Sequence, residues 1–176
     1  MAIDRQKTET VHWHAVFTAS RAEKKVRDRL EELGVECFLP VQTVLRQWTY
    51  RKSRVVVPVS AGLVFVRVGR QEQVKVLQTK GVVAFLRLKG EAGAAVIPDK
   101  QMEDFRFLLD FSEEAVEMTN ENIKAGDLVR VVKGSLRGME GELIRHKGVT
   151  KVLVRIDMLG CAMVNIPASF VEKLNK

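Results

Sequence analysis

Trp13-His-Ala-Val-Phe-Thr-Ala-Ser20-Arg-Ala-Glu23-Lys-Lys-Val-Arg-Asp-Arg-Leu-Glu-Glu-Leu-Gly34 changes its hydrophobic period part-way along, and that change decides the architecture of the first half of the chain. Residues 13–19 form a short apolar run rich in strand formers. At Ser20 a helix start signal appears: with Glu23 it makes S-x-x-E, a capping box in which each side chain satisfies the other's free backbone N–H. Ala22, Val26, Leu30 and Leu33 then recur at helical spacing while charged residues take the other faces. Gly34 supplies a left-handed stop.

Outward from this unit, Val35-Glu-Cys-Phe-Leu-Pro40 and Val41 to Tyr50 return to strand character, and Arg51-Lys-Ser-Arg54 is predicted as a polar, basic break of a hairpin. Val55-Val-Val-Pro-Val59 follows, with Pro58 confined to an edge or bend because it lacks a ladder donor. Leu63-Val-Phe-Val-Arg-Val68 has the near-continuous apolar character of a central strand. Residues 71–80 read as a short helix ended by Gly81, Val82–Leu88 as a strand, and Ile97-Pro98-Asp99 as the start of a helix with the stripe Met102, Phe105, Leu108 and Leu109. The order β-α-β-β-α-β plus a terminal helix matches the split, ferredoxin-like plan. Residues 112–121 hold four acids and no base, which suggests a linker. Beyond them, 127–132, 139–144, 151–156 and 161–166 are strand candidates separated by glycine turns, the pattern of a small closed β-barrel. The expected fold class is α+β, with a first domain over 1–111, an acidic linker over 112–122 and a β-barrel over 123–176.

A chain of 176 residues, 46% hydrophobic and 29% charged, is ordinary for one medium or two small globular domains. No apolar run reaches the roughly 18–20 residues of a spanning helix, and Met1 to Thr10 lacks the apolar stretch of a secretory signal, so a cytoplasmic protein with no membrane role is expected. Cys37 and Cys161 stand 124 positions apart in apolar runs and read as buried thiols rather than metal ligands or a redox pair. The net charge of +7 is unevenly spread: +6 over 1–70, zero over 71–111, −4 over 112–121 and +5 over 122–176. Two basic blocks raise the prospect of a phosphate-bearing partner. His12, His14 and His146 show no H-E-x-x-H spacing, and neither G-x-x-x-x-G-K-[ST] nor G-x-S-x-G occurs. No catalytic residue, cofactor or metal is expected, and His14 beside Trp13 reads as structural.

Gly126-Asp-Leu-Val-Arg-Val-Val-Lys-Gly-Ser-Leu-Arg-Gly-Met-Glu-Gly-Glu-Leu-Ile144 resembles a KOW motif, in which a strand runs round a glycine turn into the next. Gly134 suits a positive φ, and Gly138 and Gly141 suit a tight bend. The first domain resembles the NusG N-terminal domain: Trp13 in a first strand, a charged helix, Glu36-Cys-Phe-Leu-Pro40, Pro58-Val-Ser-Ala-Gly-Leu-Val-Phe-Val66, Lys80-Gly-Val82 with Phe85, and Ile97-Pro98. Ser60, Ala61 and Leu63 depart from the aromatic, proline and tyrosine usual there. The likeness spans about residues 12–175.

The resemblance implies a factor, not an enzyme, that binds elongating RNA polymerase, suppresses pausing or termination and joins that domain to an SH3-like KOW barrel. It further implies a clamp-helix site on an exposed apolar patch of Phe17, Val59, Leu63, Trp13 and Val55, and a gate-loop contact at Glu72, Gln73 and Lys75, these two sites engaging the polymerase large subunits. Weak non-template DNA contacts fall to Arg21, Lys24, Lys25 and Arg29. In the KOW domain Gly134, Gly138, Gly141, Ile144, Met158 and Leu159 fall at the motif and at a surface that in relatives meets a small-subunit ribosomal protein or Rho. The short central region and basic hairpin resemble UpxY-type antiterminators of polysaccharide operons, and a monomer is expected. The alternative is an RNA-binding, ribosome-associated KOW protein.

Overall fold

A computed structural model describes residues 9–174; positions 1–8, most of the stretch read above for a secretory signal, and 175–176 lie outside the described residues. The elements run β1 (His12–Thr18), α1 (Glu23–Glu32), β2 (Glu36–Phe38), β3 (Val41–Trp48), β4 (Arg51–Pro58), β5 (Leu63–Val68), α2 (Glu72–Gln78), β6 (Val82–Phe85), α3 (Asp99–Phe111), β7 (Glu117–Thr119), β8 (Asp127–Val131), β9 (Glu140–His146), β10 (Val149–Ile156), β11 (Gly160–Asn165) and β12 (Val171–Lys173), with a 3-10 turn at Ala168–Phe170 before the last. The chain is α+β and divides into two compact units: residues up to Leu39 with Gly62–Val96, and Pro40–Ala61 with Ile97 onward.

The first unit holds an antiparallel sheet in the order β2-β5-β1-β6, the ferredoxin-like arrangement. Four successive residues of β1, Trp13 to Val16, are buried, as in a central strand covered on both faces. Val26 and Leu30 of α1 are buried with Val76 of α2. Gly81, at φ +100°, lets α1 approach, since a Cβ there would sit 2.8 Å from Val26 Cγ2. The expected capping box does not form: α1 begins at Glu23 with no side-chain cap. Glu23 is instead buried and its Oε1 accepts the Gly62 N–H at 2.7 Å, so the carboxylate fixes the turn into β5.

In the second unit β3 and β4 pair as a separate two-stranded ribbon. Its turn lies at Thr49–Tyr50, not at Arg51–Arg54 as the basic run suggested; those residues are strand, paired from Trp48–Arg51 to Leu45–Arg54. A ribbon exposed along its outer half imposes no apolar alternation, so polar residues there carry no turn signal. Pro58 ends β4, as expected.

The remaining strands form a six-stranded antiparallel sheet, β12-β8-β9-β10-β11-β7. Its four middle members are the four strands expected. The sheet fits the small β domain expected, with β12 and β7 at its two ends among the described residues. The acidic stretch 112–122 is not simply a linker, because Glu117–Thr119 is a strand on β11. The reason is ionic as well as apolar: Val116 is buried, and Glu117 meets Nζ of Lys151, which is only 4% exposed, at 2.8 Å. A buried ammonium requires a counter-ion, and the acid comes from the stretch that composition marks as solvated. The packing also departs from a division at 112–122, since β3, β4 and α3 group with the β sheet.

Candidate functional site

Phe17 lies near the end of β1, facing Leu63 of β5 and Ala84 of β6. Strand alternation puts it on the same side as Trp13 and Ala15. Phe17 is 41% exposed, while Leu63 is 2% and Trp13 5% exposed. The expected exposed patch therefore keeps Phe17 but not Leu63 or Trp13, whose side chains are core; each is on a strand covered on both faces. Val55 and Val59 are half-buried. Val55 faces Val44 across the ribbon, and the Val59 N–H donates to the Pro40 carbonyl at 2.8 Å.

The α2 candidates do different jobs. Glu72 Oε2 accepts the Gly69 N–H at 3.3 Å, closing the helix start, and Lys75 is exposed. Gln73 turns inward to His14, Nε2 to Nε2 at 3.4 Å. His14 is buried, and its Nδ1 is 2.7 Å from the Ala95 carbonyl oxygen. A carbonyl only accepts, so Nδ1 carries the proton and Nε2 is left to accept from Gln73. Burial lowers the His14 pKa, partly offset by the Ala95 hydrogen bond. Both line a groove of about 630 Å³ with His12, Arg70 and Arg87.

On α1, Lys24 and Lys25 are exposed, as is Arg21, held at φ +58°. Arg29 is not free: its Nη1 donates to the Lys80 carbonyl at 2.6 Å and ties α1 to the turn before β6. Cys37 is half-buried rather than buried; its Sγ donates to the Arg27 carbonyl at 3.7 Å, and burial pushes its thiol up to about 11. Cys161 is buried and likewise raised. Neither is a reactive thiolate. Among the described residues no group of three His, Cys, Asp or Glu could hold a metal ion.

In the β sheet, Gly134 and Gly138 have positive φ in the connection from β8 to β9, and the Gly138 N–H donates to the Val131 carbonyl at 2.8 Å. Gly141 does not bend the chain. It lies within β9, where a Cβ would stand 2.7 Å from the Leu153 carbonyl oxygen, so its use is close approach to β10. Ile144 packs half-buried on Leu153, Cys161 and Met163. Met158, at φ +66° and exposed, and the half-buried Leu159 form the β10–β11 turn.

The NusG family model, described as transcription termination factor nusG, matches residues 11–106, which span the first sheet, its helices and the ribbon. The chain belongs to the NusG family. NusG-family proteins are transcription factors rather than enzymes, with a role in elongation. Among solved structures, this NusG-family chain is similar to the one titled "Domain interaction in Thermotoga maritima NusG", at 22% identity over 94% of this chain and 98% of that one, with a TM-score of 0.48. The MjSpt4:Spt5 complex in conformation B matches at 16% identity over 93% of this chain and 97% of that one, TM-score 0.30. Conformation A matches at 16% over 93% and 99%, TM-score 0.29. Curated proteins give no match. No helix among the described residues of this NusG-family chain is long and apolar enough to cross a membrane.

One surface escaped the sequence reading. The outer half of the β3–β4 ribbon exposes Trp48 and Tyr50 among Arg46, Arg51, Lys52 and Arg54. The available signal was a run without any acid, from Cys37 to Gln71, containing both aromatics.

Proposed function

We propose that this NusG-family chain is an elongation factor that engages RNA polymerase through its first sheet, with Phe17 as the central contact. The observation that carries the reading is the exposure of Phe17, at 41%, on a strand whose four preceding residues are all buried. A large aromatic left open beside a sealed apolar strand retains apolar area for a partner; with 41% of it exposed, covering it is worth on the order of 1 kcal/mol, a fraction of the value for a fully exposed side chain. Val59 and Val55 of the ribbon, half-buried, are further candidate contacts in their own right, and the exposed Lys75 and half-buried Glu72 of α2 are candidates for a second polymerase element. Lys24, Lys25 and Arg21 supply weak, salt-dependent attraction to non-template DNA. Such a factor makes no bond. It acts by binding one conformational state of the polymerase more tightly than another, and so suppresses pausing or termination.

In this reading residues 1–111 contain the polymerase-binding region, and the sheet from residue 123 on is a KOW domain. Its β10–β11 turn, with Met158 and Leu159, and the neighbouring Ile144 would recruit a small-subunit ribosomal protein or Rho. The basic ribbon supports specialisation of the UpxY kind, serving polysaccharide operons. Phe17→Asp tests the central claim: tagged chain carrying it should fold, judged by an unchanged melting transition, and lose co-purifying polymerase. Undiminished co-purification overturns the reading. Transcription on several leader templates tests specialisation, with action on one leader expected and equal action on all counting against it.

A further inference from the structure

The β3–β4 ribbon ends in a surface that fold stability does not explain. From Leu45 to Lys52 every residue is exposed; Tyr50, in the turn, is 98% exposed and Trp48 56%. Trp48 faces Arg51 across the ribbon, and alternation places Arg46 on that same side; Lys52 and Arg54 lie on the opposite side with Leu45. Among the described residues no carboxylate pairs with Arg46, Arg51, Lys52 or Arg54. Cations at an exposed ribbon edge can be accounted for as protection against edge-to-edge pairing. The aromatics cannot: an indole and a phenol held in water at the tip of the same ribbon increase the hazard that the cations reduce.

One occupant suits both groups together. Unpaired bases stack on exposed aromatic faces, and the phosphates joining them meet the flanking cations. We propose that the tip of this ribbon binds a single strand of nucleic acid, with Trp48 and Tyr50 as stacking platforms and Arg46, Arg51, Lys52 and Arg54 as phosphate contacts. Charge complementarity selects a polyanion over an apolar or cationic partner, and a paired duplex hides the base faces that the rings need. Nothing in the arrangement depends on the sugar, so DNA and RNA strands are met alike. The site uses none of the cations of α1 and does not require polymerase, so its failure would leave the Phe17 reading standing.

The test uses the purified full chain and fluorescent 12-nucleotide oligo-dT and oligo-U, with a 12-base-pair duplex as comparison. Trp48→Ala with Tyr50→Ala should weaken binding to both strands about tenfold or more per ring while leaving the salt slope unchanged. Arg51→Gln with Lys52→Gln should lower the slope of log affinity against log salt by about 1.4, at about 0.7 for each phosphate no longer neutralised. Arg21→Gln with Lys24→Gln keeps the ribbon intact and should preserve the effect of removing the rings. A weakening confined to one of the two strands supports the stacking site but overturns its indifference to the strand, which the sugar or the thymine methyl group would then select. Unchanged single-strand affinity in the Trp48/Tyr50 variant, or tighter binding of the duplex than of either strand, overturns the proposal.

Discussion

Gln42 holds the backbone of Val116 at both ends: its Nε2 donates to the Val116 carbonyl at 3.0 Å, and its Oε1 accepts the Val116 N–H at 2.8 Å. One side-chain amide thus replaces a neighbouring strand, reaching 74 positions along the chain. Val116 is buried, so neither backbone group has ready access to water if the amide is removed. The contact sits one residue before β7, and it sets the direction in which the acidic stretch enters the sheet.

Gln42→Leu keeps the volume and strands both groups, at about 1–3 kcal/mol for each buried polar group left unpaired. Gln42→Glu retains the acceptor but sets a carboxylate against the carbonyl, so it should be intermediate at most. The check is amide hydrogen exchange. The Val116 amide should lose protection in Gln42→Leu while the β10–β11 ladder keeps its own, and equal protection in both proteins would show the amide pair to be dispensable.

His14 predicts how the first unit responds to acid. Its folded pKa lies below the ordinary value of 6.5, chiefly because burial disfavours the charged ring, with His12 adding repulsion. For a base whose folded pKa is depressed, protons bind better to the unfolded chain. The contribution is therefore complete above about 6.5 and is lost as pH falls from there through the folded value. The other charged side chains lining the same groove are Glu9, Arg70 and Arg87. Melting followed by circular dichroism should show a decline in the transition temperature from pH 7 to pH 5, flattened in His14→Gln, and parallel profiles would remove His14 as the cause.

How far these relationships were visible in the sequence depends on their range. The strand-helix-strand order was legible because period 2 and period 3.6 are local, and the core of β1 and α1 follows from it. The capping box was a local inference that failed, because Glu23 found a partner 39 positions away in the Gly62 N–H. The strand at Glu117–Thr119 was hidden for the same reason: acidity looks solvated until Lys151 is placed beside it. At the candidate site the sequence could choose Phe17 but could not tell it from Leu63, since both are large, apolar and on adjacent strands. Only the covering of the sheet separates the open side chain from the sealed one. The basic hairpin was legible, but the exposure of Trp48 and Tyr50 at its tip was not, because residues there obey no period.

Arg155 and Glu142 show how the β sheet should fail in acid. Arg155 Nε donates to Glu142 Oε1 at 2.6 Å and its Nη2 to Oε2 at 2.9 Å, a two-pronged pair between β10 and β9, while the same Nη2 reaches the Ile123 carbonyl at 3.0 Å. Glu142 Oε2 also accepts the Gly126 N–H at 3.0 Å, so the pair ties the entry into β8 to the middle of the sheet. Arg155 holds the Glu142 carboxyl below its ordinary value of 4.5, with the Gly126 hydrogen bond assisting against desolvation. For an acid whose folded pKa is depressed, the stabilisation is complete above about 4.5 and disappears as pH falls through the folded value. Glu142→Gln should lower stability at pH 7 and make the unfolding of this sheet less dependent on pH below about 4.5. Arg155→Lys should not rescue it, because an ammonium cannot donate two parallel hydrogen bonds to one carboxylate and a third to Ile123 in the guanidinium's planar geometry. Urea unfolding at pH 7 and pH 4, read by exchange at β9 and β10, distinguishes the outcomes: Arg155→Lys matching the wild-type protein at both values would mean that charge alone suffices and the forked geometry does not matter.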